Sequence, residues 1–541
     1  MPLFQLYDTT LRDGAQQEGI SFSVVDKLNI VQKLDELGVH FIEGGWPGSN
    51  PKDAEFFERA SKLSLRNSTL VGFGSTRRPE TKAGNDVSLL ALTRAEVKVV
   101  TIVGKSSEPQ VLKVLETTLD ENLDMIAESI LYLKENGLTV FFDAEHFFDG
   151  FKSNPAYALR TLEVAAQAGA SCLILCDTNG AALPEEVCLA FEAARKVTGV
   201  PLGIHAHNDG ELAVANTLAA VQAGAWQVQG TINGYGERCG NANLCSIIPA
   251  LKLKMGIKCV TDEQLAKLTE VSHYVSEIAN RVPNPFQPYV GISAFSHKGG
   301  LHASAVMKWE GSYQHINPAK VGNKPKVVVS ELSGRRNIIQ KASELGFDLS
   351  AKKEEAQKLL ERVKLLESRG FQYESAEASF ELLLYRSSPD YQPLFELVDF
   401  LVVVERKRRP NTRKTTEEML SEAIVKVRVG TETIHTAAEG NGPVNALDRA
   451  LRKALLQFYP SLNQVRLVDY KVRILEESVG TESRVRVLIE SSDGTEEWRT
   501  VGSSTDIIEA SWLALADSLE YWLLKQTSNH KRGNCHETLR I

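Results

Sequence analysis

The first part of the chain alternates between short apolar runs and longer stretches with helical periodicity. Most of the apolar runs are nearly continuous, as in strands that are covered on both faces. They predict eight strands, over residues 4–10, 41–47, 69–75, 97–104, 139–145, 172–178, 202–208 and 226–232. The stretches between them predict helices, for example over 23–38, 119–137 and 154–169. Several of these stretches end in glycine, the usual C-terminal stop of a helix.

Eight strand–helix pairs in about 250 residues are typical of a (β/α)8 barrel. A doubly wound open sheet is the alternative. It seldom needs eight parallel strands, and no dinucleotide-type glycine motif follows the first predicted strand. We therefore predict an α/β fold whose catalytic domain is a (β/α)8 TIM barrel over residues 1–255.

The pattern changes twice after the barrel. Residues 256–395 are helical and more charged, and they predict accessory helical subdomains with helices over 261–282, 333–346 and 352–370. Residues 396–527 contain a faint repeat in which strands lead through a turn of small residues, 440–446 and again 502–510, into a helix. A duplicated unit of this kind favours dimer contact or ligand sensing, so we predict a C-terminal α+β regulatory domain. The tail, 528–541, shows no pattern and is expected to be mobile.

Composition narrows the class of protein. The 541 residues include 61 Lys+Arg and 69 Asp+Glu, a net charge of −8, which argues against a nucleic-acid-coating role. No apolar run approaches the ~20 residues of a membrane helix, and the chain enters a predicted strand without a secretion leader. Seven cysteines without a Cys-x-x-Cys pair indicate reduced thiols. We expect a cytoplasmic enzyme.

Polar residues follow the predicted barrel strands at their carboxyl ends, where the active sites of such barrels form. These residues are Asp8, Arg12, Asp13, Glu43, Asp143, Glu145, Asp177, Thr178, His205, His207, Asn208, Asp209 and those of the segment 234–243. The sequence therefore predicts an active site at this end of the barrel.

The strongest local signal is the pair His205 and His207. Residues i and i+2 of a strand project to the same side, so both imidazoles can face one metal ion. Taken alone, the pair is equally well interpreted as two surface histidines. Its position at a strand end, with Asp13 across the ring and Asn241 one loop further, favours a metal site. Such a mixed N/O set suits Mg²⁺, Mn²⁺, Co²⁺ or Zn²⁺.

Two charged residues beside this pair have two interpretations each. Arg12, next to Asp13, belongs either to a surface ion pair or to the site, where it would stabilise developing negative charge on oxygen. Glu145, among aromatic residues, either does proton transfer with a raised pKa or only pairs with Arg12. The segment 296–302 has a lysine beside two glycines but lacks the Walker spacing, so a solvated loop is its default interpretation.

The motifs DTTLRDG, IEGGWP, DTNG, HAHND and GERCGNAN, in this order, resemble those of the metal-dependent acyl-transferring aldolase-type barrels. That family contains 2-isopropylmalate, homocitrate and citramalate synthases, with hydroxymethylglutaryl-CoA lyase as a relative that lacks the C-terminal module. The resemblance covers nearly the whole chain. The runs GSTRRPE and DAEHFFDG are most similar to the long bacterial branch of citramalate synthases.

The resemblance implies roles for particular residues. The metal ligands would be Asp13, His205, His207 and Asn241; the substrate-binding residues Arg12, Gln16 and Thr178; the catalytic residues Arg12, Glu145, His302 and Tyr313. His302 and Tyr313 would come from the partner subunit of a homodimer. One departure is Ala15, since many relatives carry a carboxylate at this position.

The implied activity is a Claisen-type condensation of acetyl-CoA with pyruvate, followed by hydrolysis to (R)-citramalate and CoA. A divalent metal ion would be the cofactor, and isoleucine would be the inhibitor bound by the C-terminal domain. One alternative activity is the same condensation with 2-oxoisovalerate in place of pyruvate, which gives 2-isopropylmalate. A second alternative is a non-catalytic metabolite sensor in which the barrel serves only as a scaffold.

Overall fold

The computed structural model describes residues 4–327, 329–330, 333–389, 391–405, 420–475 and 483–537. The described chain divides into two compact units. The first unit contains the residues up to Phe295 together with His315–Pro325, and the second contains Ser296–Gln314 and the residues from Lys326 onward.

The described residues form strands and helices in both units. The strands are β1 (Gln5–Asp8), β2 (Phe41–Gly45), β3 (Thr69–Ser75), β4 (Val99–Lys105), β5 (Thr139–Glu145), β6 (Cys172–Asp177), β7 (Leu202–Ala206), β8 (Gln227–Gly230), β9 (Ser296–His297), β10 (Lys326–Val327), β11 (Glu396–Glu405), β12 (Leu420–Val429), β13 (Glu432–Gly440), β14 (Arg466–Ile474), β15 (Val485–Ser492) and β16 (Glu497–Ser504). The α-helices are α1 (Val24–Leu37), α2 (Pro51–Ala60), α3 (Val87–Arg94), α4 (Glu108–Lys113), α5 (Leu119–Glu135), α6 (Phe147–Ser153), α7 (Pro155–Ala168), α8 (Pro184–Val197), α9 (Ala213–Gln222), α10 (Leu244–Pro249), α11 (Asp262–Leu265), α12 (Leu268–Ile278), α13 (Gly300–Lys308), α14 (Arg335–Glu344), α15 (Lys353–Ser368), α16 (Glu377–Arg386), α17 (Pro443–Leu455) and α18 (Ile507–Glu537).

Strands β1 to β8 form a closed parallel barrel in which β8 pairs with β1. Each strand begins and ends within two residues of the predicted limits. The predicted (β/α)8 barrel is confirmed, and the open-sheet alternative is wrong.

Local signals explain where the barrel helices begin and end. In α1, the hydroxyl of Ser23 accepts a hydrogen bond from the backbone N–H of Asp26, and the Asp26 carboxylate accepts one from the Ser23 N–H. This capping box satisfies two backbone donors that have no partner within the helix. The helix ends at Gly38, whose φ of +85° suits glycine. Ile30 and Leu34 are fully buried against the barrel.

The hydrophobic core of the barrel continues beyond residue 255, where the sequence places the end of the catalytic domain. Cys259, Leu265, Val271 and Val275 are buried in the same apolar cluster as the barrel helices. The helix predicted over 261–282 is two helices, α11 and α12. The predicted accessory helices over 333–346 and 352–370 are confirmed as α14 and α15.

The second unit contains the predicted duplication. Strands β11, β12 and β13 form one antiparallel sheet followed by α17, and β14, β15 and β16 form another followed by α18. The Thr436 hydroxyl donates to the carbonyl of Ala450 at 2.7 Å, and Thr500 donates to Ala514 at 2.7 Å. The same hydrogen bond thus ties the third strand of each sheet to its helix, and the predicted α+β module is confirmed.

The backbone of α18 is helical to Glu537, although the sequence predicts no regular structure from residue 528 onward. The prediction was wrong because it rested on apolar periodicity alone. Adding a residue to an existing helix has a far lower entropic cost than starting one. Residues 538–541 of the predicted tail lie outside the described residues. Within the described part of the chain, no helix is long and apolar enough to span a membrane.

Candidate metal centre and active site

Three chain segments bring polar side chains together at the carboxyl end of the barrel. Asp13 follows β1, His205 lies in β7, and His207 follows the end of β7. The two imidazole rings lie 5.3 Å apart, as expected for residues i and i+2 of an extended chain. The backbone of His207 forms an antiparallel bridge with Asn241, which fixes the loop after β8 beside the histidines.

The carboxylate of Asp13 lies between the two histidines. Its Oδ2 atom is 3.4 Å from His205 Nε2 and 3.8 Å from His207 Nε2. One nitrogen or oxygen from each of these three residues lies within 4.8 Å of the other two. All three side chains are buried, so an ion held here would be largely shielded from water.

Buried polar atoms without partners indicate that this cluster is built for a ligand. Among the described residues, Asp13 Oδ1, His207 Nδ1 and Asn241 Oδ1 are buried and have no hydrogen-bond partner. Such atoms are rare in folded proteins, since an unpaired buried polar group costs free energy. Imidazole nitrogens with carboxylate and amide oxygens suit a divalent transition metal or Mg²⁺. The residues present therefore fit a divalent ion.

Glycine at position 236 allows Asn241 to take this place. A Cβ atom on Gly236 would lie 2.3 Å from the Asn241 Nδ2 atom, closer than non-bonded atoms approach. Any larger residue at 236 would displace the Asn241 amide.

Arg12 is held rigidly at the rim of the barrel. Its Nε donates to Glu43 Oε1 at 2.5 Å, and its Nη1 donates to Asp13 Oδ2 at 3.0 Å. The guanidinium carbon lies 4.0 Å from the centre of the Phe73 ring. Glu43 is fully buried and also accepts a hydrogen bond from the Tyr7 hydroxyl at 2.6 Å. The structure therefore places Arg12 in the cluster of Asp13.

The charges of this cluster stabilise one another. Burial alone would raise the pKa of Asp13, but the charge of Arg12 and the hydrogen bond with His205 hold it well below its usual range. Burial alone would lower the pKa of Arg12, but the charges of Glu43 and Asp13 raise it above its ordinary value. Both residues therefore stay charged at neutral pH.

The two histidines differ in their affinity for a proton. Burial alone would lower the pKa of His205, but its hydrogen bond with Asp13 and the charge of Asp13 raise it. Burial, followed by the positive charge of His205, lowers the pKa of His207 to about 4. His207 is therefore neutral at physiological pH and has a lone pair available for a metal ion.

Glu145, at the end of β5, pairs with a lysine. The distance from Lys105 Nζ to Glu145 Oε2 is 2.5 Å, so the predicted alternative of a pair with Arg12 is wrong. Lys105 and Glu145 are directly paired positions of β4 and β5. This register is set when β4 and β5 pair in the barrel, and the local sequence does not show it.

The remaining predicted barrel residues lie around the same rim. The Thr178 hydroxyl accepts a hydrogen bond from the His146 backbone N–H at 2.8 Å, and the Thr178 carbonyl accepts one from Arg238 at 2.7 Å. Gln16 is exposed in the short turn that follows Asp13.

His302 and Tyr313 belong to the second unit, where they lie against each other. Their rings stack at a centroid distance of 4.3 Å, and the Tyr313 side chain is about half exposed. The structure thus brings together the two residues that the sequence proposes as a catalytic pair.

Several residues of this region were given no individual role from the sequence. They are the buried Tyr7, Glu43, Asp143 and Gln229 and the partly buried Lys105. Burial, with the charge of Glu43 adding to it, raises the pKa of Asp143 to about 7. A carboxylate inside an apolar strand, as at Glu43, is a signal that a buried partner is needed. Tyr7 and Gln229 give no such signal because their partners come from other strands.

Three family models match successive parts of the chain. The HMGL-like model matches residues 3–275, the homocitrate synthase post-HMGL domain-like model matches 289–370, and the LeuA allosteric (dimerisation) domain model matches 374–523.

Curated relatives align with almost the full length of the chain. The (R)-citramalate synthase of Geobacter sulfurreducens is 53% identical over 525 residues, which cover 97% of this chain and 98% of the relative. The (R)-citramalate synthase of Aquifex aeolicus is 53% identical over 524 residues, with 96% and 98% covered. The 2-isopropylmalate synthase of Methanocaldococcus jannaschii is 30% identical over 525 residues, with 96% and 95% covered.

Proposed function

The chain belongs to the HMGL-like family, in the branch that carries a LeuA dimerisation domain, and from this premise we propose that it is a citramalate synthase. The enzyme condenses acetyl-CoA with pyruvate and hydrolyses the resulting thioester to (R)-citramalate and free CoA. The observation that carries the proposal is the similarity, over nearly the whole chain, to synthases of that name at more than half identity.

Asp13, His205, His207 and Asn241 would hold the divalent ion on which this family depends. When bound, the ion supplies a Lewis acid for the keto group of pyruvate. The burial of these side chains excludes water from the reacting carbonyl, and the side chains fix the position of the keto acid. Thr178, on the same rim, would contact the carboxylate of the keto acid, and Gln16 would be a further substrate-binding residue.

Arg12 would stabilise the negative charge that develops during condensation. The methyl group of acetyl-CoA loses a proton, and charge accumulates on the thioester oxygen and then on the former keto oxygen. The guanidinium is already fixed by Glu43 and Phe73, so no reorganisation is needed when that charge appears.

We assign proton removal from acetyl-CoA to the stacked pair His302 and Tyr313, supplied by the partner subunit of a homodimer. Imidazole is the side chain best suited to general-base catalysis near neutral pH. Glu145, oriented by Lys105, would hold or activate the reactants at the rim. The enolate carbon attacks the keto carbon, and water cleaves the thioester to release CoA.

The LeuA domain is proposed to bind isoleucine, the end product of the route that begins with citramalate. The two turns that open α17 and α18 offer helix N-termini to a carboxylate. The cysteines whose side chains the structure describes are all free thiols. Free thiols agree with a cytoplasmic enzyme.

The substrate assignment is tested by steady-state kinetics with pyruvate, 2-oxobutyrate and 2-oxoisovalerate, measured as thiol release from acetyl-CoA. We expect the highest kcat/KM with pyruvate. One extra methylene in an apolar pocket discriminates by only about 1–3 kcal/mol, so weak turnover of the larger acids is compatible with the proposal. A clear preference for 2-oxoisovalerate would make the enzyme a 2-isopropylmalate synthase.

The metal dependence is tested on the same assay. Exhaustive treatment with EDTA is expected to abolish thiol release, and added Mn²⁺ or Mg²⁺ to restore it. Undiminished turnover after chelation would refute the metal centre. Absence of turnover in metal-loaded protein would instead support the non-catalytic sensor.

A further inference from the structure

Gln229 of β8 connects a candidate metal ligand to a buried carboxylate. Its Oε1 atom lies 2.9 Å from His205 Nδ1, and its Nε2 donates to Asp143 Oδ1 at 3.3 Å. Gln229 is fully buried, and the two residues that it connects are nearly so. The bridge is therefore shielded from competing water.

The surroundings of the amide fix its orientation. An amide nitrogen only donates hydrogen bonds, and an amide oxygen only accepts them. The Nε2 atom of Gln229 faces two acceptors, Asp143 Oδ1 and, at 3.4 Å, Gln227 Oε1. Rotating the amide by half a turn would place its oxygen against both of these oxygens. Asp143 and Gln227 therefore keep Oε1 of Gln229 directed at His205.

This orientation selects one tautomer of His205. Because Oε1 can only accept, Nδ1 of His205 must carry a proton to form the hydrogen bond. In the neutral imidazole the lone pair then lies on Nε2, the atom 3.4 Å from Asp13 Oδ2. A metal ion binds the nitrogen that carries no proton. The amide thus prepares the nitrogen that faces the Asp13 cluster.

We propose that Gln229 is a positioning residue of the metal centre, which holds His205 in the tautomer and ring orientation that a divalent ion requires. The inference rests on the proposed metal centre, but it does not depend on the identity of the keto acid. Partners of this kind, which contact a ligand rather than the ion, typically contribute 10–100-fold to metal affinity.

The test compares Mn²⁺ binding by the full-length parent and by Gln229→Met, which is similar in length but lacks the amide acceptor. The dissociation constant is measured by competition with a fluorescent chelator, without substrates. We expect Gln229→Met to bind Mn²⁺ about 10–100-fold more weakly. Gln229→Glu retains an acceptor for the His205 Nδ1 proton, and it should bind more tightly than Gln229→Met.

Asn216→Leu is the control, because Asn216 is also a buried amide but lies on α9, where its Nδ2 donates to the Ala182 carbonyl at 2.7 Å. Its thermal midpoint without metal should fall, as that of Gln229→Met does, while its Mn²⁺ affinity stays near that of the parent. Asp143→Ala tests the bridge from its other end and should also weaken Mn²⁺ binding. If Gln229→Met does not fold, the Mn²⁺ affinity of Asp143→Ala decides whether the bridge contributes to metal binding.

Equal Mn²⁺ affinity of the parent and the folded Gln229→Met variant would overturn this inference and leave the proposed function intact. An equal loss of Mn²⁺ affinity in Asn216→Leu would also overturn it, since general destabilisation would then explain the effect. If the parent itself bound no Mn²⁺, the metal centre and this inference would fail together.

Discussion

At the scale of single residues, the rim of the barrel is a network of charges that are paired before any substrate binds. The buried Glu43 is paired with Arg12, and Arg12 in turn contacts Asp13. Removing one member of such a network leaves an uncompensated buried charge, which costs about 3–5 kcal/mol. Substitutions of Arg12 or Glu43 therefore lower stability together with activity. Substitutions of the proposed histidine ligands are better tests of activity, because they leave this charge network in place.

His207→Ala removes one proposed ligand and leaves the charge network around Arg12 in place. We expect loss of bound metal and of thiol release, with the circular dichroism spectrum of the parent. Metal content after dialysis and the acetyl-CoA assay measure the effect. His435→Ala, at an exposed position of the second unit, is the control and should retain both properties. Full activity of His207→Ala would refute the ligand assignment.

Asp8 links the stability of the barrel to pH. Burial, opposed by hydrogen bonds from Thr10, raises the pKa of Asp8 to about 7, against an unfolded value near 3.9. Between these values the folded state keeps a proton that the unfolded state releases. The contribution of Asp8 to stability is therefore complete at low pH and is lost as pH rises toward 7.

In Asp8→Asn this titration is absent. The free energy of unfolding of the variant, relative to the parent, should rise between about pH 4 and pH 7 by at most about 1.4 kcal/mol per pH unit, and then level off. Urea unfolding at several pH values measures it. Asp262→Asn, at an exposed position, is the control for loss of a charge. A difference that does not change with pH would contradict the assigned titration.

At the scale of elements, the local pattern is sufficient to locate all eight barrel strands. The local pattern fails where a feature depends on a contact with a residue distant in the sequence. The pairing of Lys105 with Glu145 depends on the β4–β5 register, and the division into α11 and α12 interrupts a stretch that looks like one helix. Periodicity records which faces are buried, and because these strands are apolar on both faces, it does not fix their register.

The turns before α17 and α18 are the elements to which we assign inhibition by isoleucine. Asn441→Ala, in the first turn, should raise the isoleucine concentration needed for half inhibition and leave the uninhibited rate unchanged. Initial rates over an isoleucine series measure both quantities. Glu432→Ala, at an exposed position of β13, is the matched control. An equal loss of basal turnover in Asn441→Ala would refute a separate effector site.

At the scale of the whole molecule, the proposed mechanism requires two chains. His207→Ala and His302→Ala homodimers should both be nearly inactive. If His302 acts across the dimer, random mixing makes half of the dimers hybrid, and each hybrid has one complete site of two. Co-expression of the two variants should therefore restore about a quarter of the parent's specific activity. An inactive mixture, with hybrid dimers shown by differential tags, would place both residues in the same chain's site.

The sequence by itself determined the barrel, the accessory helices, the duplicated module and the residues at the strand ends. These follow from hydrophobic period and from local turn chemistry, which the chain carries at every position. Tertiary structure alone decided that Glu43 holds Arg12, that Lys105 holds Glu145 and that Gln229 directs His205. In each pair the partners lie on, or directly after, two different strands. Only the pairing of neighbouring strands in the barrel brings them within hydrogen-bond distance.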